Sequence, residues 1–269
     1  MNSTLSKVLL FPILLAQLSF AVGQDNSVQQ RFLKLMGADW QEQFYDPMTI
    51  NWKKNWFLDG EQASLSHSEN GMDYWAGPNA WDDASHAVLW TKESFSGDLL
   101  ITFNYTRLDT TIRFVNIIFI QATGSGEEGF DHDITQWNDY RRVPTMAHYF
   151  LNMHTYHISY AAFGTRNNDP QEDYVRARRY LPSLGGLRGS GLEPDYSRTG
   201  LFATGIPHQI TIIKKDDELF MHVANNKQER LFYWKNEQLP PIHEGRIGLR
   251  HMYTRGARYS DFRISLPAE

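Results

Sequence analysis

The stretch HQITIIKKDDELFMHVANNKQERLFYW, residues 208–234, holds three apolar or alternating runs, His208 to Lys214, Leu219 to Ala224 and Gln228 to Trp234. Asp216-Asp217 and Asn225-Asn226 separate them. Aspartate and asparagine accept the backbone of short turns, and alternation with a period of two is what a half-buried strand needs. The stretch therefore reads as an antiparallel meander. Working outward, the same pattern recurs at Trp52 to Leu58, Ala63 to Ser68, Ala87 to Trp90, Leu99 to Tyr105 and Phe114 to Gln121, then at His154 to Ala162, Arg246 to Met252 and Tyr259 to Ser265. Asp59-Gly60, Asn70-Gly71, Ser96-Gly97 and Arg255-Gly256 supply further turns. No strand–helix–strand rhythm appears, so the expected class is all-β, a jelly-roll sandwich of two antiparallel sheets. A short N-terminal helical segment, from Gln24 to about Asp46, puts Phe32, Leu33, Leu35 and Met36 on a partly apolar face.

At the start of the chain, Lys7, the apolar run Val8 to Leu18 and the small residues Ala21-Val22-Gly23 read as a signal peptide over residues 1–23. The run is shorter than the roughly 20 residues of a membrane helix. The expectation is an exported chain, periplasmic or secreted, with no membrane anchor and a single jelly-roll domain over residues 24–269. Cysteine is absent, which removes disulfides, thiolate zinc sites, a thiol nucleophile and a lipid anchor on cysteine. A formal charge of −5 argues against a nucleic-acid partner. The 14% aromatic content suits sugar-stacking surfaces and packing between sheets alike.

Two stretches interrupt the regular pattern. Asn167 to Gly205 is a long Arg, Gly and Pro-rich excursion, and Thr123 to Met153 joins a glycine-rich turn to a dense polar and aromatic segment. Four of the ten histidines fall in or just beyond the latter, at His132, His148, His154 and His157. Along an extended strand His154, Tyr156, Ile158 and Tyr160 face one way, and Thr155, His157 and Ser159 the other. That spacing makes His154 and His157 poor joint metal ligands. It also offers His154, Tyr156 and Tyr160 as a base, an acid and a stacking ring, although core tyrosines with one satisfied histidine would give the same letters. The catalytic candidates are His154, Tyr156, His157 and Tyr160. The substrate-binding candidates are Asn116, Arg141, His148, Arg179, Arg250 and His251. Arg176, Arg178, Arg179 and Tyr180 form a second basic patch, and Arg246, Gly248, Arg250 and Met252 share a strand face that could join the site. His67, His86, His208, His222 and His243 stand alone and read as structural.

Neither a nucleophile elbow, a phosphate-binding glycine loop, an H-E-x-x-H motif nor a dinucleotide fingerprint is present. Histidine, tyrosine and arginine suit β-elimination beside a uronate carboxylate. Arginine neutralises the carboxylate, a His or Tyr takes the C5 proton, and another protonates the group leaving C4. The alternatives are a non-catalytic sugar-binding module and a glycoside hydrolase, which needs two carboxyl groups across a cleft. This chemistry requires no cofactor, though Asp131 and Asp133 could hold calcium.

The strand Gly97 to Tyr105, the stretch Asn116 to Gly124, the run Ala147-His148-Tyr149 with His154-Thr155-Tyr156-His157-Ile158-Ser159-Tyr160, and the closing Gly245 to Arg250 resemble the YesU-like family of bacterial proteins. The resemblance implies a concanavalin-like jelly roll from polysaccharide-degradation loci. One member type is an oligosaccharide dehydratase acting on the non-reducing uronic acid of ulvan, a sulfated algal polysaccharide. It implies an acidic oligosaccharide or polysaccharide as partner, and does not assign roles to individual residues.

Overall fold

The computed structural model describes residues 26–268, so the expected signal peptide lies outside the described residues. Helix α1 (Asn26–Met36) is shorter than the sequence pattern indicates. It stops before Gly37, and Trp40–Asp46, whose side chains alternate only at its end, forms the first strand, β1, instead. Further strands in the first half are β2 (Trp56–Asp59), β3 (Ser64–Ser68), β4 (Gly71–Trp75), β5 (Ala87–Thr91), β6 (Phe95–Ser96), β7 (Leu99–Arg107) and β8 (Asn116–Gly124). After helix α2 (Met146–Asn152) come β9 (Met153–Phe163), β10 (Asp173–Tyr180), β11 (Gly191–Ser197), β12 (Pro207–Lys215), β13 (Glu218–Ala224), β14 (Glu229–Lys235), β15 (Glu244–His251) and β16 (Gly256–Pro267).

The strands form two antiparallel sheets. One runs β14-β13-β12-β7-β16-β4-β3 with β1 added to β16, and the other β11-β10-β9-β8-β15-β5-β2 with β6 added to β15. The meander of residues 208–234 is β12, β13 and β14, paired in unbroken register. The excursion between Asn167 and Gly205 is not a loop throughout, because β10 and β11 lie within it.

Alternation along β7 sends Leu99, Ile101, Phe103 and Tyr105 into the space between the sheets, where they meet Ile118 and Ile120 of β8 and Ile158 of β9. The outer face of the second sheet is buried as well. Val88, Trp90, Ile117, Phe119 and Tyr180 form a separate apolar layer with Ile134, Trp137 and Tyr149. These last three come from a 3-10 helix, Ile134–Arg141, and from α2, which cross this face. Burial on both sides is why β8 reads as a continuous apolar run. Gly248 of β15 makes the layer possible: a Cβ there would meet the Trp90 ring at 2.4 Å. Across that gap Trp90 stacks on Phe119 at 5.4 Å, and Phe119 on Tyr149 at 5.6 Å.

One carboxylate fastens the crossing segment to the sheet. Asp59, 1% exposed, accepts hydrogen bonds from Trp90 Nε1 at 2.7 Å, Asn138 Nδ2 at 2.5 Å, Arg141 Nε at 2.6 Å and Tyr149 Oη at 3.0 Å. A buried charge is tolerated when it is both paired and hydrogen-bonded, and Asp59 is both.

Candidate functional site

Register aligns a row with two arginines and a serine across five strands of the second sheet. Arg176 lies opposite Ser159, Ser159 opposite Ile117, Ile117 opposite Arg250, and Arg250 opposite Val88. The neighbouring row carries Arg178 opposite His157 and His157 opposite Phe119. Residues of these rows line a cavity of about 190 Å³ on the outer face. His86, Tyr174 and Tyr180 also line it, while Met146 of α2 and Leu187, between β10 and β11, are among its apolar walls. Three arginines and two histidines line this cavity, and no aspartate or glutamate does.

Arg250 is 1% exposed, donates from Nη2 to the Pro144 carbonyl at 2.9 Å and lies 4.7 Å from the Tyr149 ring centroid. Its Nη1 has no protein partner, although it is buried. A buried guanidinium donor without an acceptor carries a desolvation cost that an anionic ligand would relieve. Arg178 is held by the Leu187 carbonyl at 3.3 Å and Ser190 Oγ at 3.2 Å. Arg176 is paired with Asp195 at 2.7 Å.

His157 joins two of the cavity's hydroxyl groups. Its Nδ1 is hydrogen-bonded to the Tyr180 hydroxyl and its Nε2 lies 2.6 Å from Ser159 Oγ. Burial, reinforced by Arg178, Arg250 and Arg176, pushes the His157 imidazole well below its ordinary value, so it is neutral at pH 7. Burial raises the Tyr180 phenol, with Arg250 and Arg178 opposing. His86 is pushed down to about 2, first by burial and then by Arg250, and its Nδ1 also has no protein partner. The cavity therefore combines positive charge with neutral imidazoles.

The residues proposed from the sequence separate between the two faces. His157 and Arg250 line the cavity. Tyr156 and Tyr160 do not, since both are wholly buried between the sheets. The Tyr156 hydroxyl accepts from Asn236 Nδ2 at 3.0 Å, and the Tyr160 hydroxyl lies 2.9 Å from that of Tyr259. The face carrying Tyr156 and Tyr160 is thus the core face, which corrects the pairing of His154 with these two tyrosines. Asn116 and His251 are on the same core side: Asn116 donates to the Tyr105 hydroxyl at 2.8 Å, and His251 stacks on Tyr74 at 4.2 Å and contacts the Tyr259 hydroxyl at 2.8 Å.

Arg141 is bound to Asp59 rather than presented to a ligand. Arg179 packs near Tyr156 and donates to the Pro240 carbonyl at 3.0 Å. His154, half-buried, is lowered by burial, then by Arg179 and His132. His148 sits on α2 with its ring 4.3 Å from that of Tyr140. Neither histidine lines the cavity. Asp131 and Asp133, named for calcium, form successive Asx turns. Asp131 accepts from the Asp133 amide at 2.7 Å, while Asp133 accepts from the Thr135 amide at 3.0 Å and pairs with Arg246 at 2.9 Å. Among the described residues no group of three or more histidines and carboxylates converges as a metal site.

The DUF1961 family, described as a domain of unknown function, matches residues 49–264. The chain is a DUF1961 protein. No curated protein matches its sequence. Among solved structures, a Bacillus subtilis protein of unknown function with a galectin-like fold is 19% identical at a TM-score of 0.62, covering 86% of this chain and all of that one. The exoplasmic/lumenal domain of VIP36, in its Ca2+/Man3GlcNAc-bound form, is 10% identical at 0.54, covering 86% and 91%. Lectin II from Ulex europaeus is 10% identical at 0.52, covering 84% and 99%. The likeness to bacterial jelly rolls therefore holds at the level of family and fold.

Of the second basic patch read from the sequence, Arg176, Arg178 and Tyr180 line the cavity of the DUF1961 chain and Arg179 does not, while His86, taken for structural, Ser159 and Tyr174 were not named as site residues. A signal existed for Tyr174 and Tyr180: in Asp173–Tyr180 they alternate with Val175 and Ala177 on the side that carries Arg176 and Arg178. His86, just ahead of β5, had none, because only the strand order brings it beside Arg250. Larger hollows exist elsewhere. One of about 500 Å³ contains Arg107, Asp173 and Arg198, but each of these is engaged within the protein, with Asp109, Thr199 and Glu172 respectively.

Proposed function

We propose that this chain is a carbohydrate-active enzyme that performs β-elimination on the non-reducing uronic acid of an acidic oligosaccharide, with ulvan fragments the first substrates to test. The observation that carries the reading is a small cavity lined by Arg176, Arg178, Arg250, His157 and Tyr180 with no carboxylate among its walls. A paired-carboxylate hydrolase has no candidates there, whereas an anionic sugar finds cations and a neutral base. The VIP36 domain carries a glycan on the same fold, which makes glycans the natural ligand class to screen first.

In this reading the uronate carboxylate pairs with the Arg250 guanidinium, whose buried Nη1 has no protein partner, with Arg178 beside it. Neutralising the carboxylate makes the C5 proton acidic enough to remove. The Tyr180 oxygen takes that proton as its own moves, in the same step, to Nδ1 of the neutral His157, whose Nε2–H is steadied by Ser159, so no free phenolate precedes the reaction. The C5–H electron pair becomes the C4–C5 double bond, the C4–O bond breaks, and the departing oxygen receives its proton from the same tyrosine. At a non-reducing end C4 carries a hydroxyl, so water leaves and the reaction is a dehydration; a lyase reaction would require a sugar linked at C4. A cavity this small suits one terminal sugar rather than a threaded chain.

The test is incubation of the wild-type protein with uronate-ended fragments of ulvan, pectin and alginate, followed by ultraviolet absorbance and mass spectrometry. The expected result is a conjugated unsaturated uronate from at least one set. Binding without any change of mass would overturn the elimination and leave a recognition module.

A further inference from the structure

Trp81 is 59% exposed, the most exposed of the large apolar side chains named among the described residues. Its backbone is left-handed at φ 69°, an unusual conformation for a bulky side chain that persists only where the surroundings impose it. The loop that carries it is tied across its base. The Gly77 amide donates to the Ser85 carbonyl at 2.9 Å, Ser85 Oγ donates to Gln62 Oε1 at 2.7 Å, and a Cβ on Gly77 would strike Ser85 at 2.6 Å. The loop that carries Trp81 is therefore closed at its base, with the indole exposed.

The ring also belongs to a chain of aromatics leading into the cavity. Trp81 stands edge-on to Phe114 at 5.3 Å and lies 6.0 Å from Tyr253. Tyr253 stacks on the cavity histidine His86 at 4.4 Å. Val115 and Met252, next in sequence to Phe114 and Tyr253, line the cavity. The cavity thus has its cations Arg176 and Arg178 on β10 and Arg250 on β15, while Trp81, Phe114 and Tyr253 form an aromatic cluster outside its lining, where the chain enters β8 and leaves β15.

We propose that Trp81 is the platform of a second sugar subsite, stacking the apolar face of the residue on the reducing side of the uronic acid held at Arg250. This rests on the carbohydrate reading above, but not on elimination. The sugar's C–H face would lie on the indole while its carboxylate-bearing neighbour occupies the cavity. An aromatic platform selects for chain length rather than charge, which is the complement of what the arginines provide.

The test compares two probes, glucuronate and an oligosaccharide ended by glucuronate, by calorimetric titration of wild-type, Trp81→Ala and Trp81→Phe proteins. Where the wild type turns substrate over, the titrations use a Tyr180→Phe background. The oligosaccharide is expected to bind about tenfold more tightly than glucuronate. Trp81→Ala erases most of that margin without changing glucuronate affinity, and Trp81→Phe keeps much of it. A margin that survives Trp81→Ala, or is missing in the wild type, overturns the subsite. Product formation by the wild type is read separately. Product with an unaltered margin defeats the subsite alone, and a Trp81-dependent margin without product defeats elimination alone.

Discussion

Arg250 is the residue on which the site turns, because it is the buried arginine of the cavity and its Nη1 has no protein partner. Arg250→Gln removes charge while keeping an amide at the Pro144 carbonyl. Turnover should fall by roughly 10²–10³, the cost of losing a donor aimed at developing negative charge, with little loss of fold. Steady-state rates beside a circular dichroism melt check this, and near wild-type turnover would move the carboxylate site elsewhere. At this scale the sequence was legible in part. Alternation separated His157 and Ser159 from Tyr156 and Tyr160, but did not reveal which face is core. Almost every residue of β9 is buried, so exposure could not mark the outside. Tyrosine hydroxyls in the core satisfy one another, as Tyr160 and Tyr259 do, and so resemble a reactive cluster in the letters alone.

At the scale of elements, the cavity exists because the 3-10 helix and α2 are pinned over the second sheet by Asp59. That segment supplies Met146 as a wall and the Pro144 carbonyl that orients Arg250. Asp59→Ala leaves the Arg141 guanidinium buried without its carboxylate, and breaking such a pair costs about 3–5 kcal/mol. The expected outcome is a clear drop in the unfolding midpoint, with faster amide exchange across residues 134–152. Unchanged exchange there would contradict the pinning role. Gly248→Ala should act on the same layer by driving Cβ into the Trp90 ring, with lower stability in a urea titration and an altered near-ultraviolet signal as the readouts. The central strands β7, β8, β9 and β12 were legible because one or both of their faces are apolar. The strands hidden in the Arg and Gly-rich excursion were not, since β10 presents arginine on its outer side and β11 is mostly exposed.

For the whole molecule, the two-sheet class followed from the turns and alternation, while the meeting of β5, β8, β9, β10 and β15 side by side is a long-range result of strand order. The fold also buries neutral histidines, and this makes stability depend on pH. His157 is lowered well below its ordinary value by burial, His251 to about 3 and His86 to about 2. Above pH 6.5 neither the folded nor the unfolded chain protonates them, and this contribution is flat. Below it the unfolded chain takes up protons that the folded one refuses, so stability falls with pH, by up to about 1.4 kcal/mol per unit for each group. Urea unfolding at pH 6.5 and pH 5 should show this loss, and His251→Asn should reduce its slope even if it lowers stability at both values. An unaltered slope would contradict the assignment of His251 as a buried neutral group.

In the proposed reaction the outer face of the second sheet, not the tyrosine-lined space between the sheets, handles the sugar. This is tested most directly by comparing the turnover of Tyr180→Phe and Tyr156→Phe on a uronate-ended oligosaccharide. Tyr180→Phe should lose roughly 10²–10⁴ in kcat while still binding the oligosaccharide. Tyr156→Phe should forfeit the hydrogen bonds of its hydroxyl with Asn236 and the Ile242 backbone, about 1 kcal/mol of stability each, and keep kcat within a fewfold of wild type. The reverse pattern, with Tyr156→Phe inactive and Tyr180→Phe active, would contradict the account.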